Sequence, residues 1–120
     1  MKDLLLKKAK EAYHHAYAPY SGFAVGAALL CKNGDIFTGC NVENIAGTSI
    51  CAERTAICKA ISEGNREFAE IAIASKKADA IIPCGFCLQT LAEFCPGDFL
   101  IHTPTKTYKL EELLPIRFER

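Results

Sequence analysis

Three cysteines and one glutamate in this chain have the types and spacing for metal-assisted chemistry. They are Cys51 and Glu53 in the run Cys51-Ala52-Glu53-Arg54, and Cys84 and Cys87 in Pro83-Cys84-Gly85-Phe86-Cys87. Three thiolates on one zinc ion leave its fourth position open for a water. That is the layout of a catalytic site, because a structural zinc takes all four ligands from protein. The Glu53 carboxylate, two residues beyond the first thiol, is a natural acceptor for that water's proton. The two stretches are far apart in the chain, so the fold must bring them together.

Helix geometry sorts the seven cysteines. Cys58 lies two turns beyond Cys51, about 10 Å along a helix axis at 1.5 Å per residue. Two sulfurs on a tetrahedral zinc with Zn–S near 2.3 Å are only about 3.8 Å apart. Cys58 therefore cannot join Cys51, and the same arithmetic separates Cys95 from Cys87. Cys84 and Cys87, three apart, share a helix face. Cys31 and Cys40 read as small buried residues. Two other readings of the Cys-x-x-Cys pair stay open: a redox couple, and a structural zinc completed by Cys31 or Cys40. The first leaves Cys51 and Glu53 without a part.

The elements that must position these groups follow from apolar periodicity. Leu5, Leu6, Ala9, Ala12, Tyr13 and Ala16 recur at helical spacing, predicting an amphipathic helix over 2–17 that Pro19 ends. His14 and His15 within it point about 100° apart and read as solvated or hydrogen-bonded side chains, not a metal pair. Phe23 to Cys31 and Ile36 to Cys40 flank Asn33-Gly34, the signature of a tight β-hairpin. Thr48 or Ser49 can cap a helix from about Cys51 to Glu63, with Ala56, Ile57, Ala60 and Ile61 inward and Gly64 as its stop. Ile71 to Ala74 reads as a buried strand, Pro83 to Phe94 as a helix, Phe99 to His102 and Thr107 to Leu110 as strands, and Glu111 to Leu114 as a last short helix. This order predicts an α/β fold: a mixed five-stranded sheet with helices on both faces. Crossover helices of such a sheet start along one edge, where ligands bind.

At 120 residues the chain is one domain by length, 1–120, with 50% hydrophobic residues for a core. Its 14 basic and 14 acidic residues cancel, and it has neither a basic block nor aromatics interleaved with arginines. A nucleic-acid groove or an anionic membrane surface is therefore not expected as a partner. Lysines interrupt the leucines of Met1 to Lys10, which reads as neither signal peptide nor membrane span, so the expected location is the cytoplasm. An odd number of cysteines argues for reduced thiols over a disulfide framework.

Cys-x-Glu followed by Pro-Cys-x-x-Cys is the signature of nucleobase deaminases, with the glutamate outside the zinc shell. Further matches make the chain resemble the small, homotetrameric class of cytidine deaminases. They are Ala18-Pro19-Tyr20-Ser21, Phe23 with Val25 to Leu29, Thr38-Gly39-Cys40-Asn41-Val42-Glu43-Asn44, Cys51 to Ala56, Pro83-Cys84-Gly85-x-Cys87-x-Gln89, and Leu113-Leu114-Pro115 followed by Phe118. They run in the family's order over nearly the whole chain.

The resemblance implies a three-layer α/β/α fold and one Zn2+ per subunit on Cys51, Cys84 and Cys87. It makes Glu53 the proton shuttle of a hydrolase that turns cytidine and deoxycytidine into uridine and deoxyuridine, releasing ammonia, in pyrimidine salvage. Glu53 would pass a proton to N3 of cytosine and then to the departing amine. Arg54 would compensate the charge on the thiolates. Asn41 and Glu43 would bind the ribose hydroxyls, Phe23 would pack on the base and Ala52 would contact the substrate. Phe118 would reach into a neighbouring subunit's site within a homotetramer. Two features depart from the family's pattern: Leu88 stands where an arginine is common, and the loop Ile45 to Ile50 is one residue short and lacks an aromatic. Two rival functions are a deaminase of another cytosine-containing compound, such as blasticidin S, and a non-enzymatic structural zinc module.

Overall fold

The sheet's two faces differ in side-chain size, and that difference decides which helices pack where. The computed structural model describes all residues, Met1 to Arg120. Its elements are α1 (Lys2–Ala12), β1 (Val25–Cys31), β2 (Ile36–Cys40), α2 (Ala52–Ser62), β3 (Phe68–Ser75), α3 (Gly85–Phe94), β4 (Leu100–His102), β5 (Thr107–Lys109) and α4 (Leu110–Leu113). The five strands form one sheet in the order β2-β1-β3-β4-β5. Only β3 and β4 pair in parallel; the other neighbours are antiparallel.

Successive side chains of a strand point to opposite faces. On β1 and β3, Ala28, Ala72 and Ala74 turn to one face and pack on Leu5 and Ala9 of α1. Ala27, Leu29, Ile71 and Ile73 turn to the other and pack on Ala56, Ile57, Ala60, Leu88 and Leu91 of α2 and α3. The result is three layers: α1, the sheet, then α2 with α3. Small residues let α1 sit close to its face, and Gly26 is where that closeness is greatest. A Cβ there would fall 1.9 Å from the Ala9 carbonyl oxygen.

Topology then places the helix starts. β2 and β3 are each antiparallel to β1 and so run the same way, and β4 runs parallel to β3. Helix α2 connects β2 to β3 and α3 connects β3 to β4, both moving across the sheet in one direction. With right-handed crossovers the two helices share a face, and both begin at the carboxyl ends of their strands.

The predicted elements are all present, with shifted ends. Helix α1 stops at Ala12 and a 3-10 turn, Tyr13–His15, follows; Tyr17 instead bridges Val42 in extended conformation. The hairpin turn has Gly34 at φ 97°, a conformation that favours glycine. Strand β3 is twice the expected length, and Leu110 opens α4 in place of ending β5. Buried His102 ties three strands together: its Nε2 lies 2.5 Å from Glu70 Oε1 on β3, and its Nδ1 lies 2.9 Å from Thr107 Oγ1 on β5. No helix is long and apolar enough to cross a membrane.

Candidate active site

Cys51 and Cys84 occupy equivalent positions, each the residue that caps a crossover helix. Their backbones are extended, with φ −72° and ψ 156° at Cys51 and φ −70° and ψ 169° at Cys84. The expected caps Thr48 and Ser49 lie upstream in the loop, and Pro83 precedes the helix it was expected to open. Each cap carbonyl accepts the first bond of its helix, Thr55 N–H to Cys51 at 3.0 Å and Leu88 N–H to Cys84 at 2.9 Å. Free N–H groups and the positive end of the helix dipole therefore surround both thiols.

Cys87, in the first turn of α3, completes the cluster. The Cys51 and Cys84 sulfurs are 3.6 Å apart, as are those of Cys84 and Cys87, and all three lie within 4.8 Å of one another. A tetrahedral zinc needs S···S edges of about 3.8 Å, so the thiols present fit that ion. Cys31, Cys40, Cys58 and Cys95 stay outside the cluster. Burial pushes the Cys95 thiol up to about 12, against the pull of Arg117 and Lys32, which leaves it an inert core residue.

The electrostatics of the cluster are uneven. Burial raises Cys87 strongly, and the charges of Glu53, Cys51 and Cys84 raise it further. Burial also pushes Cys84 up, but the N–H groups of Cys87 and Phe86 and the Cys87 and Cys51 thiols outweigh it, so Cys84 sits below the usual thiol range. A divalent cation at the centre of the three would reverse the mutual repulsion that raises Cys87.

Glu53, only 4% exposed, lies in the first turn of α2 beside the sulfurs. Burial pushes its carboxyl up, opposed by its own backbone N–H, the Arg54 charge and the Cys87 thiol. Arg54 Nη2 reaches Cys51 Sγ at 3.5 Å and the Ser49 carbonyl at 3.4 Å. Gly39 of β2 lets α2 approach: a Cβ there would fall 2.4 Å from the Ala52 carbonyl oxygen and 2.6 Å from the Ala56 nitrogen.

A cavity of about 220 Å³ opens onto this cluster, lined by Phe23, Val25, Asn41, Cys51, Ala52, Glu53, Ile81, Ile82 and Cys84. Its walls are mostly apolar, with Asn41 and Glu53 as convergent polar groups, the usual composition of a small-molecule site. Asn41 Oδ1 accepts from Val25 N–H at 2.9 Å and its Nδ2 donates to the Phe23 carbonyl at 2.8 Å. Each amide end keeps one further hydrogen-bonding position.

Glu43 and Phe118 lie away from the lining of this cavity. The Glu43 carboxylate accepts from Tyr20 N–H at 3.0 Å, Ser21 N–H at 3.1 Å and Ser21 Oγ at 2.5 Å. The Ser21 hydroxyl and N–H hold its carboxyl below the usual range against the opposing effect of desolvation, with a lesser contribution from the Tyr20 N–H. Phe118 is 70% exposed. Gln89 of α3 holds its backbone at both ends, with Nε2 3.1 Å from the Phe118 carbonyl and Oε1 3.1 Å from its N–H. Arg117 Nη1 donates to the Ala92 carbonyl at 2.9 Å and the Cys95 carbonyl at 3.3 Å at the end of α3. Leu88 is buried in the core, which accounts for an apolar side chain there.

The sequence reading assigns no part to Ile81 and Ile82, which form one wall of the cavity between the predicted strand and helix. Two branched apolar residues directly before Pro83 were the available signal. It also gave no part to Ser21, whose hydroxyl meets Glu43.

Fold and site together define a class: α/β proteins whose crossover-helix starts gather three thiols around one metal position, beside a buried carboxylate. The chain belongs to the family of the cytidine and deoxycytidylate deaminase zinc-binding region, whose sequence profile matches residues 1–103. It is 43% identical to the cytidine deaminase of Sporosarcina psychrophila, over 98% of this chain and 91% of that protein. The crystal structure of the cytidine deaminase from Mycobacterium tuberculosis superposes with a TM-score of 0.91 at 38% identity, covering 98% of this chain and 97% of that one. A blasticidin-S deaminase of Bacillus cereus is a further relative, 34% identical over 80% of this chain and 77% of that protein.

Proposed function

We propose that this chain is a zinc-dependent hydrolase that deaminates cytidine and deoxycytidine to uridine and deoxyuridine, releasing ammonia, as in pyrimidine salvage. The observation that carries the reading is the meeting of Cys51, Cys84 and Cys87 within 4.8 Å beside buried Glu53, with Cys51, Cys84 and Glu53 lining a mostly apolar cavity. Residues 1–120 form one catalytic domain, which carries the three thiols and Glu53 together.

Cys51, Cys84 and Cys87 hold the Zn2+. When bound, zinc lowers the pKa of a water from about 15.7 towards 7, making a nucleophile available at neutral pH. Glu53 then works twice. Its carboxylate takes the proton and places it on N3 of cytosine as C4 is attacked. It would then take the proton of the hydroxyl added at C4 and pass it to the amino group, so that the C4–N bond breaks, ammonia leaves and C4 becomes the carbonyl of uridine. Burial raises the Glu53 carboxyl above its ordinary value, the direction that favours a group able to hold and release a proton.

Phe23 and the Ile81–Ile82 wall enclose the planar base, and Ala52 closes the floor between Cys51 and Glu53. Asn41 offers its remaining N–H and lone pair to a ribose hydroxyl. A carboxylate has about four acceptor positions; three on Glu43 are taken by Tyr20 and Ser21, leaving one for the second hydroxyl. Arg54 offsets part of the negative charge that three thiolates leave on the ion. Phe118, exposed on a tail that Gln89 bonds, would enter the site of another copy. With Ile45 and Ile116 almost fully exposed, this supports a homotetramer with sites at subunit interfaces, and the reduced thiols that the metal site needs fit the cytoplasm.

The test is the ultraviolet absorbance change of cytidine mixed with zinc-loaded protein. Conversion to uridine is expected, and Glu53→Gln should cut turnover roughly 10²- to 10⁴-fold while zinc stays bound. Conversion of blasticidin S but not cytidine would transfer the chemistry to the rival substrate. Stoichiometric zinc with neither conversion would leave a structural module.

A further inference from the structure

We infer that Phe86 is a positioning residue for the metal centre: its ring holds the Arg54 guanidinium against Cys51 and so strengthens zinc binding. The inference rests on the reading of Cys51, Cys84 and Cys87 as zinc ligands.

Four observations meet here. Phe86 stands between Cys84 and Cys87 at the start of α3, while Arg54 stands three residues after Cys51 on α2, so their contact bridges the two thiol-bearing helix starts. The Arg54 Cζ lies 5.7 Å from the Phe86 ring centroid, within cation–π range. Phe86 is 77% exposed, so core packing does not explain an aromatic at this position. Finally, Arg54 Nε is buried without a hydrogen-bond partner. A guanidinium normally holds its place through its full fork of donors. Here Nη2 has two acceptors, Cys51 Sγ and the Ser49 carbonyl, at long distances of 3.5 and 3.4 Å, and the Cys87 thiol adds a weaker attraction. The ring supplies the restraint that those bonds lack.

The charge balance gives the restraint a consequence. Three thiolates on Zn2+ leave a net charge of minus one, and Arg54 is the cation that reaches the sulfurs. An arginine free to swing into solvent loses most of that attraction, because water screens it. Held by an aromatic face, it stays beside Cys51.

The experiment is competition for zinc between the protein and a chromogenic chelator, brought to equilibrium, for wild type, Phe86→Leu and Phe86→Tyr. Phe86→Leu keeps an apolar side chain without a π face and should weaken zinc binding roughly two- to fivefold, the range expected for an exposed cation–π contact. Phe86→Tyr should match wild type. In an Arg54→Gln background, Phe86→Leu should have no further effect. Equal affinity of Phe86→Leu and wild type, equal weakening by both variants, or an unchanged loss in the Arg54→Gln background would each overturn the inference while wild-type zinc binding stands. A wild-type protein that takes up no zinc would overturn the ligand assignment, and the inference with it.

Discussion

Asn41 is clipped to the backbone that carries Phe23, its Nδ2 donating to the Phe23 carbonyl at 2.8 Å. The same amide accepts from Val25 N–H, so it closes the gap between the end of β2 and the start of β1 and sets one wall of the cavity. The side chain proposed to bind ribose is also the one that builds this wall. Asn41→Leu keeps the volume and removes both bonds. It should lower stability by about 1–3 kcal/mol in denaturant unfolding and raise the KM for cytidine roughly tenfold. A rise in KM with unchanged stability would mean that the clip carries no load.

The Glu43 carboxyl gives a pH signature. Its folded pKa is depressed by Ser21 and Tyr20, so its stabilising contribution is present above the ordinary carboxylate value near 4.3. That contribution declines as pH falls through the depressed value. Thermal unfolding of wild type and Glu43→Gln should therefore differ at pH 6 and converge as the pH is lowered past that point. A gap that persists in acid would assign the effect to something other than the charge.

Gly39 sets how close α2 comes to β2. The Cβ of Gly39→Ala would overlap the Ala52 carbonyl oxygen and the Ala56 nitrogen, both rigid backbone atoms that cannot rotate away. The helix must move, and Cys51 and Glu53 move with it. We expect a loss of roughly 3 kcal/mol, at the upper end of overpacking costs, together with reduced zinc content in a metal analysis of the folded fraction.

The cysteines divide by role. Cys51→Ser, Cys84→Ser and Cys87→Ser should each bring zinc stoichiometry close to zero. Exposed Cys58→Ser should leave zinc and turnover unchanged. Buried Cys95→Ala should keep its zinc and lose about 1 kcal/mol of stability, since one buried heavy atom is deleted. Metal analysis beside unfolding curves separates the three outcomes.

The spacing was enough to separate Cys58 from Cys51 and Cys95 from Cys87, because helix rise is a local rule, but it left a structural zinc completed by Cys31 or Cys40 open until the fold held both outside the cluster. Apolar periodicity was likewise enough for the element order, and that order implies a mixed sheet with its helix starts along one edge. Element ends were less legible. The cap of α2 falls on Cys51 in place of Thr48 or Ser49, and α3 begins at Gly85 with Cys84 as its cap where Pro83 was expected to open it, because the cap is set by where each strand hands over to its helix. Three features depended on distant segments meeting: the Ile81–Ile82 wall, the bonds from Ser21 and Tyr20 to Glu43, and the ring of Phe86 beside Arg54. Each joins residues whose separation along the chain says nothing of their separation in space. Crossover geometry and side-chain packing set those distances, and no local periodicity encodes them.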